Sequence, residues 1–311
     1  MKNILVTGGC GYVGTELIKN FLNQGYKVTN VDTQWFGNNL KKNKNLKNFR
    51  CDIRNIKEKF FKNIDCVIHL ANIANDPAVE LNPTLSWEIN VLSSYKIANL
   101  CIKHKVKKLI YASSGSVYGV KKEKRVTEDL DLVPISVYNK TKMVSERVLL
   151  SYQDKLKIYC IRPATVCGVS DRMRLDLSVN LLTHAAYSKN KITVLGGEQV
   201  RPNIHIKDMI RVYNFFLKKN LKSGCYNAGF ENISILKIAK LVNKYHKSAI
   251  VIKKSNDPRS YRQDSSRLLR LGFKPKYNVE YAIKDLLSRF KNLKIKKSYY
   301  TVEWMKKNNI K

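Results

Sequence analysis

Two side chains four residues apart, Tyr138 and Lys142 in the run Tyr138-Asn139-Lys140-Thr141-Lys142, are the first candidates for chemistry. On a helix they share one face. A phenol ionises near pH 10, about three units too high for a good base at neutral pH. A neighbouring ammonium favours the phenolate and lowers that value. A tyrosine so placed can take the proton of an alcohol and later return it. Ser114, in Tyr111-Ala112-Ser113-Ser114-Gly115-Ser116-Val117-Tyr118-Gly119, offers a hydroxyl that can hydrogen-bond the reacting oxygen and support its developing charge. Tyrosine and lysine at this spacing also occur on ordinary helices, and a turn rich in Ser and Gly has structural uses. Both features therefore need a context.

That context begins at Thr7-Gly8-Gly9-Cys10-Gly11-Tyr12-Val13-Gly14, which follows an apolar run and opens a helical one. Gly8 permits a tight turn, Gly11 lets backbone N–H groups approach a pyrophosphate, and Gly14 lets helix and strand pack closely. The helix N-terminus adds partial positive charge for the phosphates. A second strand pattern ends at Asp32, eighteen residues beyond Gly14. A carboxylate there accepts from both ribose hydroxyls and repels a 2′-phosphate, which favours NAD over NADP. With Lys142 and the positive nicotinamide ring together favouring the phenolate, Tyr138 removes the alcohol proton while the adjacent carbon gives its hydride to NAD, and Lys142 also holds the nicotinamide ribose. Asp52, just past the next strand, either meets the adenine amino group or caps a helix.

The elements that must position these residues alternate between strand and helix patterns. Strands are expected over 3–7, 27–31, 65–70, 108–113 and 157–161, with a weaker one ending near Cys51; helices are expected over 12–23, 87–103 and 137–152. This is an α/β fold, a Rossmann-type doubly wound parallel sheet with right-handed crossovers. The cofactor-binding domain, carrying the catalytic residues, is placed at 1–165. After Pro163 the rhythm changes: helices over 175–188, 208–217, 235–245 and 279–290 alternate with short strands over 192–195 and 249–252. Residues 166–311 read as a smaller C-terminal α/β substrate lobe, with some segments returning to the Rossmann body.

Composition narrows the class. No run of about 18 or more uncharged apolar residues appears, so no membrane span is expected. The apolar start is too short for a signal peptide and flows into the glycine loop. The seven cysteines are scattered with no C-x-x-C pair, which points to reduced cytoplasmic thiols and no metal site. Lysines and arginines number 58 against 24 acids, a net charge of +34. Such a charge suits a nucleic-acid binder. The lysines are nevertheless dispersed and mixed with asparagine, as a biased genome composition produces, and no Arg-plus-aromatic platform stands out. Nucleic acid is therefore not the expected partner, although a positive field attracts anionic nucleotides.

Taken in order, TGGCGYVG, HLAN, YASSGSVYG, YNKTK, RPATVCG and RPNIHIKD resemble the motif series of the extended short-chain dehydrogenases/reductases, specifically the NAD-dependent epimerase/dehydratase family acting on nucleotide-sugars. The resemblance runs from Thr7 to about Pro275. It implies Tyr138 as acid/base, Lys142 as its partner and Ser114 as the polarising hydroxyl, with Ser116 also facing substrate. It extends the cofactor set of Gly8, Gly11, Gly14, Asp32 and Asp52 to Tyr12, Val13, Ile53, Leu70 and Ala71. Asn90 matches the family's structural asparagine. Asn180, Arg201 and Arg259 fall where relatives hold the nucleotide diphosphate, a role that suits the guanidinium fork. His205 and Asp208 complete the pattern opened by Arg201, His205 in a structural role. The resemblance further implies a homodimer formed through the helices over 87–103 and 137–152.

Departures from the family pattern bear on the reaction. Related 4,6-dehydratases carry an acid directly after the active-site hydroxyl, whereas this chain has Gly115-Ser116, and Asp32 argues against the NADPH of many ketoreductases. Epimerisation at C4 of a nucleotide-diphosphate sugar is the expected reaction. A ketoreductase, a dehydrogenase or a dehydratase of the same family is the alternative, and an RNA-binding protein on a dehydrogenase scaffold is the non-enzyme alternative. Cys167 replaces the usual tyrosine of RP-x-x-V-Y-G and is read as a packing residue rather than an acid/base thiol. Asn72 replaces the alanine usual after HLA. Arg172 or Arg174 is expected to read an acidic or phosphorylated part of the substrate.

Overall fold

The computed structural model describes residues 1–255 and 260–310. Its strands are β1 (Asn3–Thr7), β2 (Lys27–Asp32), β3 (Leu46–Arg50), β4 (Cys66–His69), β5 (Lys108–Ala112), β6 (Lys157–Pro163), β7 (Thr165–Cys167), β8 (Lys191–Leu195), β9 (Val200–His205), β10 (Gly224–Ala228), β11 (Glu231–Ser234) and β12 (Ala249–Lys253). Seven of them form one sheet in the order β10-β6-β5-β4-β1-β2-β3, and every neighbouring pair is parallel. The doubly wound sheet expected from the sequence is thus present, with β10, from the second half of the chain, as its edge.

Burial explains the strand compositions. Alternate residues of a strand point to opposite faces. Leu5, Val67 and Leu109 join one apolar cluster with Ile97, Cys101 and Tyr111. Ile4, Val6, Ile68 and Ile110 join another beneath the helices Tyr12–Asn23 and Ile206–Lys218. Both faces are covered, so the central strands are near-continuous apolar runs. The strand order reverses between β1 and β4, and a crevice opens beyond their carboxyl ends. Ligands bind at such switch points.

A third cluster, including Met173, Val179, Ile192, Val242 and Leu286, lies under the helices Ser178–Lys189, Ile235–Tyr245 and Val279–Phe290. It belongs to a smaller body holding a three-stranded sheet, β11-β9-β7, and the parallel pair β12-β8. The last helix, Thr301–Lys307, returns to the large sheet, where the Trp304 indole donates to the Trp35 carbonyl at 2.7 Å.

One expected helix is not continuous. The segment over 87–103 contains a π-helical turn, Glu88–Leu92, between the α-helices Pro83–Trp87 and Ser93–Lys103. The turn carries Asn90, whose side chain accepts from the Ile73 amide at 2.9 Å and donates to the Ile73 carbonyl and the Thr141 hydroxyl. The Asn90 carbonyl receives the hydroxyls of Ser94 and Ser145 at 2.6 and 2.8 Å. A wide turn presents backbone and side chain of one residue to two neighbouring segments, a use typical of π-bulges at functional sites. Among the described residues no helix is long and apolar enough to cross a membrane.

Candidate active site

The crevice at the switch point is a cleft of about 520 Å³ running from the glycine loop to the catalytic helix. Its lining includes Gly8, Gly11, Tyr12, Val13, Gly14, Asp32, Asp52, Ile53, Leu70 and Ala71, every side chain or loop position expected to meet the cofactor apart from Lys142. Gly8 has φ +78°, and a Cβ there would lie 2.5 Å from the Ala71 amide nitrogen. A Cβ on Gly14 would lie 2.5 Å from the Gly8 carbonyl oxygen. Only glycine fits either position. Gly11 immediately precedes the helix Tyr12–Asn23, whose first amides face the cleft.

Asp32 ends β2 against this loop. One carboxylate oxygen accepts the Cys10 amide at 2.9 Å and the other the Gln34 amide at 2.6 Å. Burial raises its pKa while these two amides oppose the shift. Asp52 caps the turn Ile53–Asn55 through the Arg54 amide at 2.9 Å while pairing with the Arg54 guanidinium, and it also lines the cleft. Burial alone would raise the Asp52 pKa, but the bonds from Arg54 hold it below the usual carboxylate range. The arrangement fits the adenosine diphosphate half of NAD: amides and a helix N-terminus for the phosphates, an acid for the ribose.

At the other end of the cleft, Ser136 caps the helix Val137–Leu150, which carries Tyr138 and Lys142. The Ser114 side chain lies close enough to Tyr138 to favour its phenolate, and its hydroxyl meets that of Ser116 at 2.7 Å. All three side chains line the cleft. Burial pushes the Tyr138 phenol up to about 12, against the nearby Ser114 hydroxyl and the positive charge of Arg174. In the protein alone the phenol keeps its proton; the expected lowering relies on the nicotinamide ring as well as on the lysine.

Lys142 is 2% exposed, is not among the residues that line the cleft, and donates to the Ala112 carbonyl at 2.6 Å. Its ammonium lies 4.9 Å from the Tyr111 ring centroid and 5.8 Å from that of Tyr138. Burial pushes it down to about 7, with Glu146 opposing. Glu146, one turn further along the helix, is itself buried in a bidentate pair with Arg162 and accepts the Ser113 hydroxyl at 2.5 Å.

The substrate-side candidates lie in different surroundings. Asn180 is fully buried and does not line the cleft. Its oxygen accepts the Gly168 amide and its nitrogen serves the Tyr12 hydroxyl and the Arg174 carbonyl, so it ties the two bodies together. Tyr12 likewise spends its hydroxyl on the Gly168 carbonyl at 2.6 Å. Arg201 lines the cleft from β9. Arg259 lies outside the described residues. Arg174 makes two hydrogen bonds to Asp176, at 3.0 and 2.8 Å, beside the Tyr138 end. Arg172 lies instead over the Phe36 ring on the cofactor side. Cys167 is fully buried, its thiol on the Ile204 carbonyl, as a packing residue would be. His205 caps the helix Ile206–Lys218, and burial pushes its imidazole down to about 4.

Sequence reasoning missed one acid. Asp76 lines the cleft near Tyr138 and receives the Ser136 hydroxyl. Asn75, which caps the short helix Asp76–Val79, donates to Asp176 at 3.1 Å. The signal was available: Asn75-Asp76-Pro77 is a helix start with proline in its first turn.

Comparison with known proteins agrees with this geometry. The profile of the NAD dependent epimerase/dehydratase family matches residues 4–229. A UDP-glucose 4-epimerase of Lactobacillus helveticus is 28% identical, over 90% of this chain and 94% of its own length. Among solved structures, a UDP-glucuronic acid 4-epimerase from Bacillus cereus, in complex with UDP-glucuronic acid and NAD, has a TM-score of 0.83 at 27% identity, covering 94% of this chain and 100% of that one. An NAD-dependent NDP-hexosamine 5,6-dehydratase involved in tunicamycin biosynthesis shares the fold, with a TM-score of 0.87 at 23% identity over 94% and 99% of the two chains.

Proposed function

We propose that this chain, which belongs to the NAD-dependent epimerase/dehydratase family, inverts C4 of a nucleoside-diphosphate sugar by transient oxidation, with Tyr138 as acid/base. The observation that carries this reading is that Tyr138 and Ser114 stand beside each other in the same cleft as the glycine loop and Asp32. When bound there, NAD accepts a hydride and returns it.

The positive charge of a bound nicotinamide ring would favour the Tyr138 phenolate, and in that form Tyr138 takes the proton of the sugar 4-hydroxyl as hydride leaves C4. Ser114 donates to the C4 oxygen as it becomes a carbonyl. The 4-keto sugar turns over, hydride returns to the opposite face, and Tyr138 gives the proton back. Arg174 adds positive charge near Tyr138 and so favours the phenolate. Arg201 lines the cleft where the sugar nucleotide would pass. No net oxidant is consumed, since hydride and proton both return to the sugar.

The test is a panel of UDP-, dTDP-, GDP- and CDP-sugars offered to the purified protein, with products read by NMR. Formation of a C4 epimer by the wild type, and its absence in Tyr138→Phe, is the expected result. A full panel without any epimer would sink the reading.

A second reading rests on Asp76. A carboxylate beside the 4-keto sugar can remove a proton acidified by the ketone, so the same oxidation could lead to elimination of water. Loss of 18 mass units from the sugar nucleotide, abolished in Asp76→Asn, would select this reading over simple epimerisation.

A further inference from the structure

Arg172 is a buried cation that feels the charges of Asp176 and Asp32 but makes no ion pair within 4.0 Å among the described residues, Asp176 being held by Arg174 and Asp32 by two backbone amides. It is 2% exposed and lines the cleft. One terminal nitrogen donates to the adjacent Met173 carbonyl at 3.2 Å, the other to the Thr301 hydroxyl at 3.1 Å, and Nε is buried with no hydrogen-bond partner. The guanidinium carbon stands 4.3 Å from the centroid of the Phe36 ring. Burying an unpaired charge is costly unless an anion completes the site.

The backbone around it points to which anion. The Ser170 hydroxyl donates to the Tyr12 carbonyl at 2.8 Å, and the Asp171 amide donates to Glu16 at 2.9 Å. Lys19 pairs with Asp171 at 3.1 Å. The turn bearing Arg172 is therefore fastened to the first turns of the helix whose N-terminus faces the cofactor phosphates. Phe36 follows Asp32 at the ribose end, and Thr301 stands on the last helix, which Trp304 secures to Trp35. Arg172 is thus held at the adenosine end of the cleft, whereas Arg174, two residues on, turns to the Tyr138 end.

We propose that Arg172 binds the diphosphate of the cofactor, so that the second lobe closes the anion site which the glycine loop opens. The guanidinium supplies a donor fork opposite the helix amides, and Thr301 and Phe36 fix its plane. The sequence expectation that Arg172 reads the substrate is replaced by this assignment. It rests on NAD as the cofactor, and binding of ADP by the wild type tests that premise separately.

The experiment titrates the full-length chain, freed of bound nucleotide, with ADP, adenosine and UDP by calorimetry. Arg172→Gln should weaken ADP at least tenfold and leave adenosine and UDP within about twofold of wild type. Arg172→Lys, which keeps the charge, should recover a substantial part of the ADP affinity. Unchanged ADP binding in Arg172→Gln overturns the proposal. So does a loss centred on UDP, which would place the guanidinium on the substrate diphosphate, or an equal loss of adenosine, which carries no phosphate. A lysine variant no better than glutamine also overturns it.

Discussion

At the scale of single residues, the cleft sets proton affinities in opposite directions. Tyr138 is pushed up to about 12 and Lys142 down to about 7, both chiefly by burial. Removing the phenol should leave nucleotide binding intact but lower kcat by about 10²–10⁴-fold, the usual worth of a positioned acid/base. Steady-state kinetics and binding measured on Tyr138→Phe separate the two. Lys142 makes a second prediction through linkage. Its folded pKa lies below the unfolded value, so between about pH 7 and 10 the unfolded chain binds the extra proton and stability rises with pH. The burial penalty is fully present below pH 7. Lys142→Met removes it, so the variant should gain stability relative to wild type as pH falls from 9 to 7, then keep a constant difference. Urea unfolding at several pH values reads this, and a difference independent of pH contradicts it.

At the scale of elements, the site depends on joints between segments. Asn90 in the π-turn links the Ile73 loop to the catalytic helix at Thr141. Asn90→Ala leaves several buried groups without partners and should cost about 2–4 kcal/mol, at about 1–3 for each unsatisfied group after partial relaxation. Glu146→Gln leaves the buried Arg162 guanidinium without its counter-ion and should cost about 3–5 kcal/mol. Urea denaturation measures both, and a loss below 1 kcal/mol in either would mean the joint relaxes. The sequence made the parallel strands legible because β1, β4, β5 and β6 are apolar on both faces. It also exposed the glycine loop, Asp32 and Ser114 at strand ends and Tyr138 on a helix. It did not reveal β7, β9, β10 or β11, since three to six residues such as Gly224-Cys225-Tyr226-Asn227-Ala228 carry no usable period. The π-turn was hidden because helical periodicity continues through it. The surroundings of Asn180 and Lys142 were not legible for another reason: motif position identifies a residue, but hydrogen bonds to Gly168 or Ala112 decide where its polar atoms go in the protein alone.

At the scale of the whole molecule, two bodies and the terminal helix enclose one cleft. The Trp304 indole bond to the Trp35 carbonyl holds the last helix against the loop after β2, and Met305 lines the cleft beside it. Trp304→Ala should therefore speed release of bound NAD, read as cofactor fluorescence or absorbance lost during dialysis; unchanged retention contradicts this. The net charge of +34 is a global property with a separate consequence. Attraction of RNA by dispersed lysines should fall steeply with salt and be negligible by about 0.2 M. Binding that persisted in filter assays at that salt would favour the RNA-binding alternative.

The central claim is that hydride leaves and returns at C4 of the same sugar. Once the panel has identified a substrate, the direct measurement is turnover of that sugar nucleotide carrying deuterium at C4, in ordinary water, with the product analysed by NMR and mass spectrometry. The account predicts a C4 epimer that retains its deuterium, with no net NADH formed. Loss of the label to solvent, or a dehydrated product, would contradict it.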